Sequence, residues 1–479
     1  MVSVRRSLAW MSLGQGSLFV LQFGVMVVVA RLLTPYDMGV FAVAVAIVGL
    51  LSTIRSLGLQ GYIVRAPDLA PPLVATVFTI NAALAVLVAL AIAGLAQLGG
   101  ALLGDPSVQR LLLAMVVVPL LNIFEILPGA YIERRGDFRS VAFINVTRYG
   151  TANLAVLGFA LAGHSYMSLA YGQIISAVVA MVLTNAIGWR HVSLRLGLDQ
   201  WREVTRYGTQ MLTISGVNLL ANRVSEIVLG RVLGLEALGL YTRASGVTGM
   251  LWENLHVVLM RVLFVDFAEQ RRQGRSLREP YLGIVGNLTA VLWPMLIGLA
   301  VVSGPAMTLL YGPNWTASAL PLSILCVSMA LWVPMAMTGE ILVVCHETAR
   351  QSRYELIRAP VGLLLFTAGC FVSIVAAAAA RLLETVFTIL LYRSHVERLT
   401  ETRWADYVPI LSRSGFLTGV AVLPAAMVMA AHGWAATTPI ALVATAIGVG
   451  VLGWLVTLRA LRHPLFDEGM RLLARFRPA

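Results

Sequence analysis

Along one otherwise apolar stretch, Asn218, Asn222 and Glu226 recur at i, i+4 and i+8, with Arg223 three residues before Glu226. That spacing sets the first three on one helix face. The next apolar stretch carries Arg243, Asn254 and Arg261 at i, i+11 and i+18, with Glu253 at their flank. Eighteen residues make five turns, so these three share a face over about 27 Å of rise. Nearer the N-terminus, Arg148 lies about two turns inside an apolar stretch, and Glu125 lies in the stretch before it. Guanidinium groups grip phosphates or carboxylates in a planar fork. Carboxylates placed among them are candidates for coupled proton uptake. The set therefore reads as binding chemistry: Arg148, Arg223, Arg243, Arg261, Asn218, Asn222 and Asn254 for an anionic substrate, and Glu226, Glu253 and Glu125 for protons.

Nothing points to catalysis. The seven histidines lack HExxH spacing, and Cys326, Cys345 and Cys370 form no CxxC pair. The cysteines read as small buried hydrophobes. No catalytic residue, metal ligand or cofactor is expected.

The elements that must hold these residues cross a membrane. The chain has 479 residues, 58% hydrophobic and 12% charged, with mean hydropathy +0.83. Soluble domains carry roughly 25% charged residues. Apolar runs long enough to span a bilayer are expected at 8–30, 38–57, 73–98, 111–131, 141–163, 166–188, 207–230, 238–264, 281–303, 318–345, 357–375, 377–393, 409–431 and 437–458. The pair within 357–393 is compressed and contains Arg381 and Glu384. An arginine at mid-membrane costs about 2.5–3.5 kcal/mol on lenient scales, so such residues must be paired, snorkelling or facing water.

All 35 basic residues are arginine, and with fourteen spans 27 of them fall on one side against 3 on the other. Positive charge marks the cytoplasmic side, so both termini are expected in the cytoplasm. The net charge of +12 follows from that sidedness; no basic, aromatic-interleaved module exists to bind nucleic acid. Three arginine-bearing stretches, "LDQWREVTRYG", "WADYVPILSRSG" and "FDEGMRLLARFRP", read as amphipathic helices at the membrane surface. "YGPNW" (311–315) reads as an outer turn with a Trp anchor.

A shift of 200 residues without gaps pairs Val28, Arg31, Leu33, Gly39, Ala44, Gly49 and Leu51 with Val228, Arg231, Leu233, Gly239, Ala244, Gly249 and Leu251. Six crossings separate the copies, so both run in the same direction. The fold expected is all-α and polytopic: about fourteen transmembrane helices in two six-helix lobes related by a pseudo-two-fold along the membrane normal, plus two C-terminal helices. The lobes are 1–190 and 207–395, and 404–479 holds the extra helices and a basic tail. Parallel-repeat transporters place their substrate between such halves, so a cationic cavity there is expected.

"ARLLTPYDMGVFAVA" resembles the segment after the first helix of bacterial polysaccharide transporters, the Wzx-type lipid-linked oligosaccharide flippases of the multidrug/oligosaccharidyl-lipid/polysaccharide exporter superfamily. "LPGAYIERRGDFRSVA", "LGRVLGLEALGLYTRA", "RVLFVDFAEQRRQGRSLREPY" and "LLYGPNWTASALPLSIL" follow in the family's order. The resemblance implies transport by alternating access. It implies flipping of undecaprenyl-diphosphate-linked oligosaccharide repeat units across the inner membrane for O-antigen, capsule or exopolysaccharide synthesis. The partners implied are that lipid-linked substrate, membrane lipids, and polysaccharide polymerase and chain-length machinery. The rivals are a cation-coupled drug-efflux antiporter of the same superfamily and a membrane polysaccharide polymerase or ligase. An arginine-rich interior argues against the first, and short, nearly uncharged outer loops argue against the second.

Overall fold

The computed structural model describes residues 21–466 apart from 57, 67, 103–104, 189–194 and 274; the helical side chains of 54, 56, 98–102, 210–218, 253–269 and 271 also lie outside the description. Among the described residues every regular element is helical. Among the described residues eight helices are long and apolar enough to cross a membrane, or nine if one bent pair is a single span. The chain divides into two compact units, Met1–Gly239 and Leu240–Ala479.

The first unit holds α1 (Leu21–Leu32, within the described residues), α2 (Pro35–Ser56), α3 (Leu59–Arg65), α4 (Pro71–Leu102), α5 (Pro106–Met115), α6 (Val117–Leu121), α7 (Ile126–Arg134), α8 (Phe138–Leu161), α9 (Met167–Gly188) and α10 (Trp201–Val232). α2 starts sharply because Thr34 and Asp37 cap each other. The Thr34 amide donates to Asp37 Oδ2 at 2.9 Å and the Asp37 amide to Thr34 Oγ1 at 3.2 Å. This reciprocal arrangement satisfies two otherwise orphaned helix-end donors. Ser165 donates to the other oxygen of Asp37. "LTPYDMG" is thus a helix start.

Its glycine makes a second contribution. α11 (Leu235–Arg272) begins beside α2. A Cβ on Gly39 would fall 1.7 Å from the Leu235 carbonyl oxygen, and one on Gly239 1.8 Å from that of Pro35. The 200-residue shift exchanges the two contacts, since it pairs residue 35 with 235 and residue 39 with 239. The sequence repeat is therefore a structural one at this crossing, and only glycine permits such backbone approach.

The span expected at 111–131 is broken. α5–α6 and α7 meet at 50°, with Glu125 in the break. Pro128 lacks the N–H that would bond the Phe124 carbonyl. Asn185 donates to that carbonyl at 2.9 Å, and Asn81 donates to the Ile123 carbonyl at 3.2 Å. Irregular backbone at membrane depth survives only when neighbours satisfy it in this way.

The second unit continues with most of α11, then α12 (Arg278–Val301), α13 (Ser303–Tyr311), α14 (Ala319–Trp332), α15 (Thr338–Val344), α16 (Thr348–Cys370), α17 (Ile374–Thr400), α18 (Trp404–Ala431) and α19 (Ile440–Ala460). The compressed 357–393 stretch resolves into α16 and α17, of 23 and 27 residues. Both reach beyond the apolar runs because their charged turns are paired. Ser373 caps α17, accepting from the Ala376 amide at 3.0 Å, and a Cβ on Gly369 would fall 2.7 Å from the Ala376 carbonyl oxygen. The two helices can turn on so few residues for that reason.

Two expected surface helices are not separate elements: residues 201–208 open α10 and 404–415 open α18. "FDEGMRLLARFRP" lies outside the described residues save for Phe466. "YGPNW" is no membrane anchor either, since Tyr311 and Trp315 are 1% and 0% exposed.

Candidate anion-binding site

The break between α6 and α7 places Glu125 against α8. Asp137 starts α8, its carboxylate accepting from the Ser140 amide and hydroxyl at 3.1 and 2.6 Å. Those bonds, the hydroxyl's foremost, hold the Asp137 carboxyl below its usual range and keep it charged at the helix N-terminus, where negative charge is favoured. Eleven residues on, Arg148 reaches back to Glu125: Nη1 donates to Oε1 at 2.8 Å, and each side chain is 23% exposed. Arg148 Nε also donates to Ser176 Oγ of α9 at 3.4 Å, and its guanidinium carbon lies 5.0 Å from the Tyr149 ring centroid.

Arg55 lies in the last turn of α2. Arg55 Nε and Nη1 are shielded from solvent and have no hydrogen-bond partner among the described residues. Unpaired buried donors are rare in folded proteins and call for an explanation. Arg55 falls at the end of the apolar run expected at 38–57, and that place is the only signal the sequence carries for it.

Along the same helix, Arg223 of α10 lies over Gly49, its Nε 3.0 Å from where a Cβ would stand. Gly49 and Arg55 are six residues apart, about 9 Å along α2. Arg223 Nη1 donates to Glu226 Oε2 at 3.0 Å, and both side chains remain partly exposed. Asn222 is exposed beside it. α2 thus has guanidinium groups at two levels, one of its own and one from α10.

The other expected residues part from this group. Arg243, in the second unit, lies over the rings of Tyr311 and Trp315, 5.0 and 5.3 Å from their centroids, and hydrogen-bonds the Tyr311 hydroxyl. A desolvated cation on aromatic faces gains about 2 kcal/mol, so "YGPNW" serves as a cradle for this arginine. The side chains of Asn218, Glu253, Asn254 and Arg261 lie outside the described residues.

Sequence reading also missed a charged network in the second unit. Glu384 of α17 accepts from Arg358 Nη1 at its Oε1 and from Arg381 Nη1 at its Oε2, both at 2.7 Å. Arg358 Nη2 pairs with Glu355 at 2.8 Å, and the Tyr392 hydroxyl donates to the other oxygen of Glu355 at 3.0 Å. The Arg381 guanidinium lies 4.5 Å from the Phe366 ring centroid. A Cβ on Gly362 would fall 2.5 Å from the Glu384 carboxylate, so glycine makes room for it.

Among the described residues no group of three or more potential metal ligands occurs, and the three cysteines are free.

A polysaccharide biosynthesis protein family model matches residues 28–320. The succinoglycan biosynthesis transport protein ExoT of Rhizobium meliloti (strain 1021) is 27% identical over 333 residues, 69% of this chain and 67% of that protein. The lipopolysaccharide biosynthesis protein WzxC of Escherichia coli (strain K12) is 25% identical over 308 residues, 63% of this chain and 62% of that protein. Among solved structures, the lipid II flippase MurJ in an inward closed conformation aligns with TM-score 0.74 at 12% identity, covering 95% of this chain and 99% of that one. An inward-facing multidrug resistance MATE family transporter aligns with TM-score 0.55 at 14% identity, covering 81% and 96%.

Proposed function

The chain belongs to the polysaccharide biosynthesis protein family, and from that premise we propose that it flips lipid-linked oligosaccharide repeat units across the bacterial inner membrane for surface polysaccharide assembly. The matched stretches span only about two thirds of the first two relatives, 67% and 62% of their lengths, so whole-protein activity is carried over here as a reading. The observation that carries it is the excess of guanidinium over carboxylate in the first unit: Arg55, Arg148 and Arg223 against Glu125 and Glu226. Positive charge held among apolar helices is costly unless an anion meets it. A diphosphate bearing a sugar is such an anion, and its hydrocarbon tail can stay in lipid while the head crosses.

The finer elements of the reading are an undecaprenyl carrier, alternating access, termini in the cytoplasm and polymerase and chain-length proteins as partners. Glu125 and Glu226 are the described carboxylates placed to couple substrate movement to protons. The protein moves its substrate chemically unchanged.

The test is deletion of the gene, complemented with the wild-type chain or with Arg148→Ala. Deletion is expected to abolish surface polysaccharide and leave lipid-linked repeat units at the inner leaflet. Arg148→Ala should restore less than about a tenth of the wild-type polysaccharide while inserting normally. Unchanged polysaccharide in the deletion strain refutes the reading; drug sensitivity instead of polysaccharide loss would favour efflux.

A further inference from the structure

Two prolines of the second unit each leave a carbonyl without its helical partner, and an indole from a neighbouring helix meets each carbonyl. Pro294, inside α12, has no N–H for the Ala290 carbonyl four residues back. Trp454 of α19 donates to that carbonyl from Nε1 at 3.0 Å, and Ala290 is fully buried. Pro334 likewise withholds an N–H from the Ala330 carbonyl of α14. There a 3-10 turn, Val333–Met335, interrupts the apolar stretch Pro313–Val344 before α15 begins. The Val333 amide reaches the Ala330 oxygen from within the turn, and Trp293 of α12 donates to it from Nε1 at 2.7 Å. Tyr281, also of α12 and fully buried, donates to the Pro334 carbonyl at 3.0 Å.

The two latches are in series. Trp293 is the residue next to Pro294, so the bend of α12 sets where its indole points. That bend is held from the C-terminal helix pair. Besides the Trp454 bond, Thr289 shares a hydrogen bond with Ser414 of α18 at 2.7 Å, and Ala290 packs with Leu417 and Leu458. A carbonyl freed by proline cannot regain its helical bond, and a buried polar group left unmet is costly. Loss of the indole donor therefore favours a different bend, because helices kink where the ladder of bonds is broken. A phenylalanine would fill the same apolar space, so the N–H is what the indole adds.

We propose that α18 and α19 are a clamp that controls the break between α14 and α15. Trp454 fixes the Pro294 bend of α12, the bend aims Trp293, and Trp293 with Tyr281 keeps the break closed. The C-terminal pair thereby governs the conformation of a span with which Trp454 shares no latch. Each latch is a single side-chain hydrogen bond on a carbonyl that has lost its helical partner, so it can open without unfolding the helix around it. Hinges are a few residues that absorb such a change, and Pro294 and Pro334 supply them here. The clamp is read by hydrogen exchange and not by transport, so it stands or falls apart from the flippase reading.

The experiment measures amide hydrogen exchange by mass spectrometry on the full-length protein in detergent micelles. Peptides covering 335–345 report the break, and peptides of α16 serve as a reference that a general loss of stability would also move. Trp454→Phe keeps the ring and removes the donor. It is expected to speed exchange at the break at least tenfold while α16 stays within twofold of wild type. Trp293→Phe should open the same break without changing exchange in α19. Pro294→Ala returns an N–H to the Ala290 carbonyl, so adding Trp454→Phe to that variant should change exchange at the break less than twofold. Such a cycle isolates the coupling between the two residues. Exchange at the break that is unchanged in Trp454→Phe, or faster only in step with α16, overturns the clamp. A tenfold effect of Trp454→Phe that persists beside Pro294→Ala also overturns it, because the indole would then act by packing alone. If Pro294→Ala does not fold, Pro294→Gly restores the same N–H in a residue that tolerates the bend. If Trp454→Phe does not fold, Ser414→Ala loosens the clamp from α18 and should speed exchange at the break at least threefold; no change there is equally fatal.

Discussion

The charged clusters of the two units differ in how fully their arginines are paired. In the second, Glu384 spends both oxygens on Arg358 and Arg381, and Glu355 takes a further contact from Arg358 and one from Tyr392. Two acids face two arginines, and Phe366 covers a guanidinium. In the first, Arg148 pairs with Glu125 and Arg223 with Glu226, and Arg55 keeps donors that have no partner among the described residues. A saturated network braces two helices and has nothing left to offer a ligand. An unsaturated one holds its helices less firmly and retains donors for an incoming anion. Pairing alone does not separate structural from functional charge; the surplus does.

The largest effect that would sharpen this contrast comes from matched neutralisations. Glu384→Gln removes the charge that Arg358 and Arg381 share and turns one of the two acceptor oxygens into a donor facing a guanidinium, in a site where the glutamate side chain is 9% exposed. Breaking a buried pair in this way costs about 3–5 kcal/mol, which should appear as a large fall in the unfolding midpoint in detergent. Glu125→Gln, at 23% exposure, leaves Arg148 access to water and is expected to cost about 1 kcal/mol or less. Equal losses would erase the distinction between brace and binding site.

Next in size is a pair of glycine substitutions, one beside each cluster. Gly362→Ala drives a methyl group to 2.5 Å from the Glu384 carboxylate, held at both oxygens, so the network must yield. Overpacking of that kind costs about 1–3 kcal/mol. Gly49→Ala meets Arg223 Nε at 3.0 Å, the far end of a flexible and partly exposed chain, and should cost under about 0.5 kcal/mol. Thermal unfolding of the two variants checks both figures. A larger loss at Gly49 than at Gly362 would mean that Arg223 is the more rigidly held.

Arg243 sharpens the comparison further, because it was read as a substrate ligand and proves to be cradled by Tyr311 and Trp315. Arg243→Met should lose about 1–2 kcal/mol of stability through the missing cation–π contacts and leave diphosphate affinity within twofold of wild type. A tenfold loss of affinity in a folded Arg243→Met protein would return this arginine to the binding machinery.

What could be read from the chain follows from how far apart the partners lie. Local periodicity announced the helices, the Arg223–Glu226 pair three residues apart, and the repeat that brings Gly39 and Gly239 into reciprocal contact. Arg148 was visible as an anomaly within an apolar run, but its pairing with Glu125 depends on how α8 packs against a broken span. Arg55 stands at the end of an apolar run, and nothing in its sequence neighbourhood distinguishes it from a loop arginine. Arg358 and Glu384 were obscured for the same reason: counting apolar residues ended the spans at 357–393, whereas mutual neutralisation lets α16 and α17 run on. The family-like segments proved to be largely structural. In "LPGAYIERRGDFRSVA", Pro128 contributes to the break, Arg134 donates to the Ile63 carbonyl at 3.0 Å, Gly136 takes a left-handed φ of 68°, and Asp137 caps α8.

The smallest effect tests where the contrast lies within the first unit. Glu226 pairs with Arg223 across one turn, both side chains more than a quarter exposed, and such a pair contributes about 0.3–0.5 kcal/mol. Glu226→Gln should therefore lower the unfolding midpoint only slightly, and 1 M salt, with a screening length of about 3 Å, should abolish the difference from wild type. The loss from Glu384→Gln should survive the same salt, since Glu384 is shielded from the ions that do the screening. If the Glu226→Gln difference persists in 1 M salt, that pair belongs to an enclosed network like the second unit's. The surplus charge of the first unit would then reside in Arg55 and Arg148 alone.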